Sequence, residues 1–363
     1  MKPILKWVGG KTQILDQILD TFPKIINNYH ELFLGGGSVL LGLLERIQNN
    51  QIEVKGNIYV YDKNPVLINM FINIKNNRES LENSMNEFLN IYTNLSNGEE
   101  PLCKEKILEL SLEDLKLQLK KRCLRNNDNT NDNETLIRSV LIDDSDAYFA
   151  SISALKSLGK KQKMVKPTTY NEGLMSKESY YYWIRKKYND MSDEERNSIV
   201  GSAIFIFLNK TCFRGVYRMG PNGFNVPFGN YMKLKTIISS DELKNMSNMI
   251  QNVHFRTSDF TDAITNIRNE DFVYMDPPYV PINNKSFVNY QSGGFNDENH
   301  NSLFTQCHQF KANQISFVMS NSDTEKVRKE FSNYDIVQIK CRRAINSKKP
   351  ESSVNEVIIK SYS

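Results

Sequence analysis

Four consecutive residues, Asp276-Pro277-Pro278-Tyr279, follow a short apolar run, Phe272–Met275, that has the composition of a buried strand. Ligands of open α/β sheets bind beyond the carboxyl ends of the strands, which is where this tetrapeptide falls. A carboxylate and the Pro277 carbonyl can each accept one N–H of an amino group on a ring, which prepares that nitrogen for methylation. The prolines stiffen the loop, and Tyr279 offers a face for stacking a base. An ordinary turn with a solvated aspartate is the alternative.

The glycine run Gly35-Gly36-Gly37 follows an apolar segment and precedes an apolar helical stretch at 39–47. Glycines after a strand let the backbone approach a nucleotide-like ligand and bring the next helix close to the sheet. Asp62 ends the following β-rich run, 58–61, where an acid that binds ribose hydroxyls belongs. Together these features favour a nucleoside cofactor, and the glycine spacing, which is not GxGxxG, disfavours NAD. A loop that merely turns the chain is the alternative.

Near the N-terminus the chain carries Lys6-Trp7-Val8-Gly9-Gly10-Lys11. A lysine beside a Gly-Gly pair could meet a carboxylate or a phosphate, and Trp7 could pack on an adenosyl group. An N-terminal anchor without a ligand is the alternative, since termini stay mobile unless they are tied down.

A glycine-rich stretch at 209–231 carries arginines and aromatic residues. Two short β-like runs flank Gly220-Pro221-Asn222-Gly223 and predict a hairpin. Arginine can read guanine bidentately in the major groove, and an aromatic or apolar wedge can fill a gap in a base stack. The hairpin is therefore a candidate for reading DNA, with a plain surface hairpin as the alternative.

The order of predicted elements indicates how these residues are positioned. Residues 1–75 read as strand, glycine loop, helix and strand, and strand-like runs return after residue 246, with two in the tail that could pair as an antiparallel edge hairpin. This pattern predicts a doubly wound α/β sheet formed by 1–75 and 246–363. Residues 76–245 predict an inserted, mainly helical domain, with the Asn/Asp-rich segment 126–133 as an exposed loop.

Composition limits the class of protein. Of 363 residues, 39% are hydrophobic, which is enough for a sizeable core, and 46 Lys+Arg against 42 Asp+Glu mean that any basic surface must be local. Five scattered cysteines without a CxxC pair predict neither a disulfide framework nor a zinc site, and no metal is expected. Without an apolar leader or a bilayer-length apolar run, we expect a soluble cytoplasmic protein without membrane contact, as a monomer or weak dimer.

Six motifs, KWVGGK, ELFLGGGSV, YVYDKNP, FNVPFG, SDF and DPPY, occur along the chain. In this combination the sequence resembles the alpha group of DNA amino-methyltransferases, the family of the GATC-directed DNA adenine methylases and related restriction-modification enzymes. The resemblance spans essentially the whole chain. It implies a Rossmann-like methyltransferase sheet with an inserted target-recognition domain, and transfer of a methyl group to N6 of an adenine in double-stranded DNA.

The resemblance also implies roles for individual residues. It implies S-adenosyl-L-methionine as the cofactor, bound by Trp7, Lys11, Phe33, Gly35, Gly37, Asp62, Asp259, Phe260 and Asp276. It implies that Asp276, Pro277, Pro278 and Tyr279 hold a flipped adenine, and that DNA is contacted by Arg214, Arg218, Phe224, Asn225 and Pro227. The segments 283–285 and 292–294 are expected to form a lid, and Lys186 and Lys187 to contact phosphates.

Recognition is the finer prediction. Arg218 falls where the guanine-reading arginine of the GATC enzymes lies, so the resemblance implies GATC or a short sequence containing it. The hairpin is about one residue shorter than in those enzymes, and Arg214 replaces a smaller polar residue. The rival activities are N4-cytosine methylation, because that amino group has the same geometry, and DNA binding by a catalytically dead scaffold.

Overall fold

The computed structural model describes residues 1–95, 111, 114, 167–174, 176–229, 231, 234, 236–282, 295–342 and 353–362. The predicted loop at 126–133 and lid at 283–294 lie outside them. By its internal contacts the chain divides into two compact units, Met1–Asn94 with Tyr181–Ser363, and Leu95–Tyr180. The functional division at 75 and 246 is a different one and stays a prediction.

Within the described residues, the strands are β1 (Ile25–Ile26), β2 (Tyr29–Glu31), β3 (Glu53–Val54), β4 (Ile58–Asp62), β5 (Met219–Gly220), β6 (Gly223–Phe224), β7 (Val253–Thr257), β8 (Phe272–Met275), β9 (Ser316–Ser322), β10 (Asp335–Arg342) and β11 (Ser353–Lys360). The helices are α1 (Leu15–Leu19), α2 (Ser38–Gln48), α3 (Pro65–Asn76), α4 (Arg78–Asn94), α5 (Tyr170–Gly173), α6 (Lys177–Asp190), α7 (Asp193–Asn197), α8 (Ile199–Thr211), α9 (Ser240–Met249), α10 (Phe260–Ala263), α11 (Asp297–Ala312) and α12 (Glu325–Glu330). Short 3₁₀ turns form at Phe213–Gly215 and Ile264–Asn266.

The central sheet has the order β10-β11-β9-β8-β2-β4-β7. From β9 to β7 each neighbouring pair is parallel, whereas β11 runs antiparallel to both β9 and β10. This topology confirms the predicted doubly wound α/β fold with an antiparallel edge hairpin. It also explains the apolar composition of β8, whose four residues are all buried, because parallel strands are covered on both faces.

One part of the core joins the sheet to α11. Val273 and Met275 of β8 and Phe317 of β9 belong to a buried cluster that includes Phe304 of α11. Burial of such side chains is the main favourable contribution to folding, and it fixes β8 at the centre of the sheet. None of the described helices combines the length and apolarity needed to cross a bilayer.

The strand order changes direction at β2, which lies between β8 and β4. Glu31 ends β2, Asp62 ends β4, and Asp276 follows β8. Because these strands are parallel, their carboxyl ends lie at one edge of the sheet, which is the usual ligand position in this architecture. The helices that follow β2 and β4 have defined N-termini. Gly37 (φ 74°) is the N-cap of α2, and the Asn64 side chain caps α3.

Candidate active site

Asp276 is paired with a lysine from the other end of the sequence. Its Oδ2 lies 2.7 Å from Lys11 Nζ, and the two side chains are 19% and 6% exposed. Lys11 Nζ also donates to the Gly9 carbonyl at 2.7 Å. The sequence left a carboxylate or a phosphate open as the partner of Lys11, and in the folded chain the partner is this carboxylate.

The other carboxylate oxygen of Asp276 is in a different situation. Oδ1 is buried and makes no hydrogen bond of normal geometry with any described residue. Burial raises the pKa of Asp276 above its ordinary value, and the adjacent Lys11 ammonium opposes that rise. Buried polar atoms are almost always hydrogen-bonded, so an orphaned carboxylate oxygen at a strand end is suited to an external N–H or O–H donor.

The far end of the Asp276–Tyr279 loop is fixed by β9. The Val280 amide donates to Asn321 Oδ1 at 3.1 Å, and Ser322 Oγ donates to the Val280 carbonyl at 2.5 Å. Pro277 is buried and Pro278 half-buried, so the loop is rigid along its length. The ring of Tyr279 lies with its centroid 4.8 Å from Lys11 Nζ.

The glycine loop and Asp62 form one hydrogen-bonded unit. Asp62 Oδ2 accepts from the Gly35 amide at 3.0 Å, and Oδ1 accepts from the Asn64 amide at 2.9 Å. Gly35 has φ 51°, a left-handed conformation that favours glycine. A Cβ on Gly36 would lie 2.9 Å from Trp7 Cβ, so this glycine permits close packing of the indole. Trp7, the glycine loop and Asp62 therefore lie next to one another in the folded chain.

Aromatic rings line the region next to this unit. Trp7 stacks on Tyr217 with centroids 5.5 Å apart and an interplanar angle of 19°. Phe33 packs against Phe260 at 5.7 Å, and Phe295 contacts both rings at about 6 Å. Asp259, which precedes Phe260, caps α10 by accepting from the Thr261 amide and forms an ion pair with Lys63 at 3.0 Å.

The predicted hairpin forms between β5 and β6, with Pro221 and Asn222 as its turn. Arg218 is exposed at its base, where its Nε donates to Asn225 Oδ1 at 2.7 Å. Arg214, Asn225 and Pro227 are also exposed. Phe224, in contrast, is only 2% exposed and packs under Tyr217 and Tyr188, so its side chain supports the hairpin from below.

One face of helix α6 holds this hairpin in place. Tyr181, Arg185 and Asn189 are four residues apart, which places them in a row on a helix. Tyr181 Oη and Arg185 Nη1 donate to the Val226 carbonyl at 2.6 and 2.7 Å. Asn189 accepts from the Phe224 amide at 2.7 Å and donates to the Phe224 carbonyl at 3.0 Å. The side-chain amide thus pairs with the hairpin strand much as another strand would.

These features match a known family. The family model described as "D12 class N6 adenine-specific DNA methyltransferase" matches residues 7–143 and 119–345. The chain belongs to this family. It is therefore an adenine-specific DNA methyltransferase, which confirms the predicted family and activity and sets aside the N4-cytosine and dead-scaffold alternatives.

Three relatives are similar to this methyltransferase along most of their length. It is 28% identical over 376 residues to the Type II methyltransferase M.MjaIII of Methanocaldococcus jannaschii, a match that covers 100% of this chain and 99% of that protein. It is 22% identical over 367 residues to the Type II methyltransferase M1.LlaDCHI of Lactococcus lactis, with 100% and 96% covered. It is 26% identical over 357 residues to a DNA adenine methylase of Haemophilus influenzae, with 97% and 90% covered.

Two residues that stand out in the structure were not singled out from the sequence. Glu31 is 1% exposed and accepts from the Tyr29 hydroxyl at 2.8 Å. Burial raises the pKa of Glu31 to about 8; the Tyr29 hydrogen bond opposes this rise, and the charges of Asp276 and Asp62 add to it. Glu31 therefore keeps its proton to a higher pH than an ordinary glutamate does, and its signal in the sequence was an acidic residue at the end of an apolar strand.

Phe213 is the second missed residue. Its ring is 49% exposed beside the hairpin, and the Arg214 guanidinium lies 5.2 Å from its centroid. Because other aromatic residues lie close to Phe213 in the sequence, the pattern did not indicate that this one is exposed. Within the described ranges, no group of three His, Cys, Asp or Glu side chains is arranged to hold a metal ion.

Proposed function

We propose that this methyltransferase uses S-adenosyl-L-methionine to methylate N6 of an adenine turned out of duplex DNA, and that Asp276 holds the target amino group. The observation that carries the proposal is the orphaned, buried Oδ1 of Asp276. Its neighbour Oδ2 is occupied by Lys11, so one acceptor is left for the amino group. Lys11 also favours the ionised form of Asp276, which is the stronger acceptor.

The residues present fit the cofactor. Asp62 has its two oxygens each engaged by one backbone amide, and a carboxylate oxygen can accept a second hydrogen bond, as a ribose hydroxyl would require. Phe33 and Phe260 offer apolar faces to an adenine ring, with Asp259 beside them as an acceptor for its amino group. When bound, the cofactor supplies an electrophilic methyl group on a sulfonium. Gly35, Gly37, Trp7 and Lys11 complete the proposed contacts.

The protein's own contribution is positioning and electrostatics. Asp276 Oδ1 and the Pro277 carbonyl accept the two N–H groups of the target amine, which shifts the nitrogen towards tetrahedral geometry and localises its lone pair for attack on the methyl group. Pro278 keeps the acceptors in place, and Tyr279 stacks on the flipped base. Because the exocyclic nitrogen is itself the nucleophile, no covalent bond to the protein is required.

The exposed end of the hairpin supports a proposal for recognition. We assign guanine reading to Arg218, whose guanidinium is oriented by Asn225, and DNA contacts to Asn225, Pro227 and Arg214. Phe213 is the exposed aromatic beside the hairpin, and we assign to it the apolar contact with the base stack, since Phe224 is buried. The proposed site is GATC or a short sequence that contains it.

The test is methylation of duplex oligonucleotides that carry GATC or each single-base variant, with radiolabelled S-adenosyl-L-methionine. We expect incorporation into GATC and loss of about 1–3 kcal/mol of discrimination at guanine in Arg218→Ala. Lack of methylation at GATC with methylation of other adenine sites would refute the recognition sequence alone. Lack of label in any adenine would refute the proposed reaction.

A further inference from the structure

Glu356 reaches the active-site loop from the antiparallel part of the sheet. It lies on β11, which pairs with β9 through Glu356 and Ser322. The Tyr279 hydroxyl donates to Glu356 Oε2 at 2.9 Å across 77 residues of sequence. Glu356 lies outside all six sequence motifs.

This hydrogen bond fixes the one part of Tyr279 that the backbone leaves free. Asn321 and Ser322 hold the chain at Val280, directly after the tyrosine. Both of these hydrogen bonds go to the backbone of Val280, and rotation of the Tyr279 side chain about Cα–Cβ would move its ring by several ångströms. The bond to Glu356 ties down the far end of the ring, so that the side chain is held at both ends.

Charged side chains lie close to the Tyr279 ring. Lys11 Nζ lies 2.7 Å from Asp276 and 4.8 Å from the centre of the Tyr279 ring, while Glu356 accepts from the Tyr279 hydroxyl. Burial raises the pKa of Asp276, Lys11 opposes the rise, Glu356 adds to it, and hydrogen bonding by Tyr279 also opposes it. The Tyr279 ring therefore lies close to one cation and two carboxylates, and the hydrogen bond with the better-defined geometry is the one to Glu356.

We propose that Glu356 is a positioning residue for methyl transfer, which aims the ring of Tyr279 so that the flipped adenine can stack on it. The inference rests on the proposed function of Tyr279. It predicts that Glu356 acts through the tyrosine hydroxyl and not through cofactor or DNA affinity. A carboxamide keeps a carbonyl oxygen that can accept from the hydroxyl, whereas alanine does not.

The experiment is a double-mutant cycle on single-turnover methylation of a duplex, with the full chain, saturating cofactor and saturating DNA. Glu356→Ala and Tyr279→Phe should each slow the reaction by about tenfold to a hundredfold, the range for losing a hydrogen bond to a charged group. The double variant should be no slower than either single one, since both changes remove the same bond. Glu356→Gln should stay within about threefold of the wild-type rate if the acceptor is what matters.

A matched control removes a carboxylate from the same pair of strands. Asp335 on β10 forms an ion pair with Lys360 on β11 at 2.6 Å, away from Tyr279, and Asp335→Ala should leave the rate unchanged. Multiplicative slowing in the double variant, or a Glu356→Gln variant as slow as Glu356→Ala, would overturn the inference.

If Glu356→Ala fails to fold, Tyr279→Phe decides alone, because it keeps the ring and removes only the hydroxyl. A wild-type rate for Tyr279→Phe would then overturn the inference. Failure of the proposed function is a separate result, because the wild-type protein itself would then not label adenine.

Discussion

Asp276→Asn separates the chemical role of the acid from its structural role. The variant loses the negative charge that faces the target amine but keeps the shape of the side chain. We expect single-turnover methylation to fall by about a hundredfold to a thousandfold, the usual effect of removing one preorganised electrostatic contact in an active site. Binding of DNA should be retained, since Asp276 faces the amine and not the phosphates.

The same substitution leaves Lys11 without its partner. Because the two side chains are 6% and 19% exposed and 2.7 Å apart, the pair belongs to the buried class, in which removing one partner costs about 3–5 kcal/mol. Replacing both partners, as in Lys11→Met with Asp276→Asn, removes the stranded charge. The double variant should therefore recover most of the free energy of unfolding and none of the activity.

The assays are urea denaturation without cofactor and single-turnover methylation with enzyme in excess over DNA. The control is Asp190→Asn, which breaks the exposed Lys186–Asp190 pair and should cost less than about 1 kcal/mol. A near-wild-type rate for Asp276→Asn would refute the assignment of the amine acceptor. A double variant no more stable than Asp276→Asn would refute the argument that Lys11 is the stranded charge.

Three further predictions concern cofactor, hairpin and pH. Asp62→Ala should weaken S-adenosyl-L-methionine binding by about 1–3 kcal/mol, measured by calorimetry, and unchanged affinity would contradict the ribose contact. Asn189→Ala removes both side-chain hydrogen bonds to Phe224, so discrimination among single-base variants of the DNA should fall. Asn73→Ala, which removes the side-chain hydrogen bonds to Asn197, Ser202 and Asn77 away from the hairpin, should not change it. Glu31→Gln tests pH dependence. The folded-state pKa of Glu31 is raised to about 8, so the protonated side chain favours the folded state. This contribution to the free energy of unfolding is present at acid pH and is lost as the pH rises towards 8. The unfolding free energy of wild type relative to Glu31→Gln should therefore decline between pH 5 and about 8, and parallel curves in urea denaturation would count against a buried neutral Glu31.

The sequence predicted those parts of the site that depend on local chemistry. A buried strand followed by Asp276, a glycine loop before α2, and Asp62 at the end of β4 all follow from apolar runs interrupted by residues with special backbone or polar properties. Parallel pairing then brings the strand ends together, and so the predicted sheet placed these residues at one edge.

Contacts between distant segments could not be predicted in the same way. That Phe224 is buried depends on α6, whose Asn189 lies 35 residues away and determines which face of the hairpin is covered. The pairing of Lys11 with Asp276 joins residues that are far apart in the sequence, and no local pattern specifies that partner. Alternate side chains of a hairpin point to its two opposite faces. This alternation does not show which of the two faces another element will cover.

The parallel pairing of β4 with β7 affects how the segment between these two strands can change during evolution. Asp62 pairs with Thr257 and accepts the next amide, from Ser258, so two strands almost 200 residues apart in the chain are fixed to each other in register. The entropic cost of closing a loop of this length rises slowly as the loop grows, since each doubling of its length adds only about 0.6 kcal/mol. On closure entropy alone, the intervening segment can therefore lengthen or shrink during evolution while the strand ends stay in place. With DNA recognition assigned to this segment, as proposed above, new target sequences can arise there without rebuilding the edge of the sheet that holds Asp62.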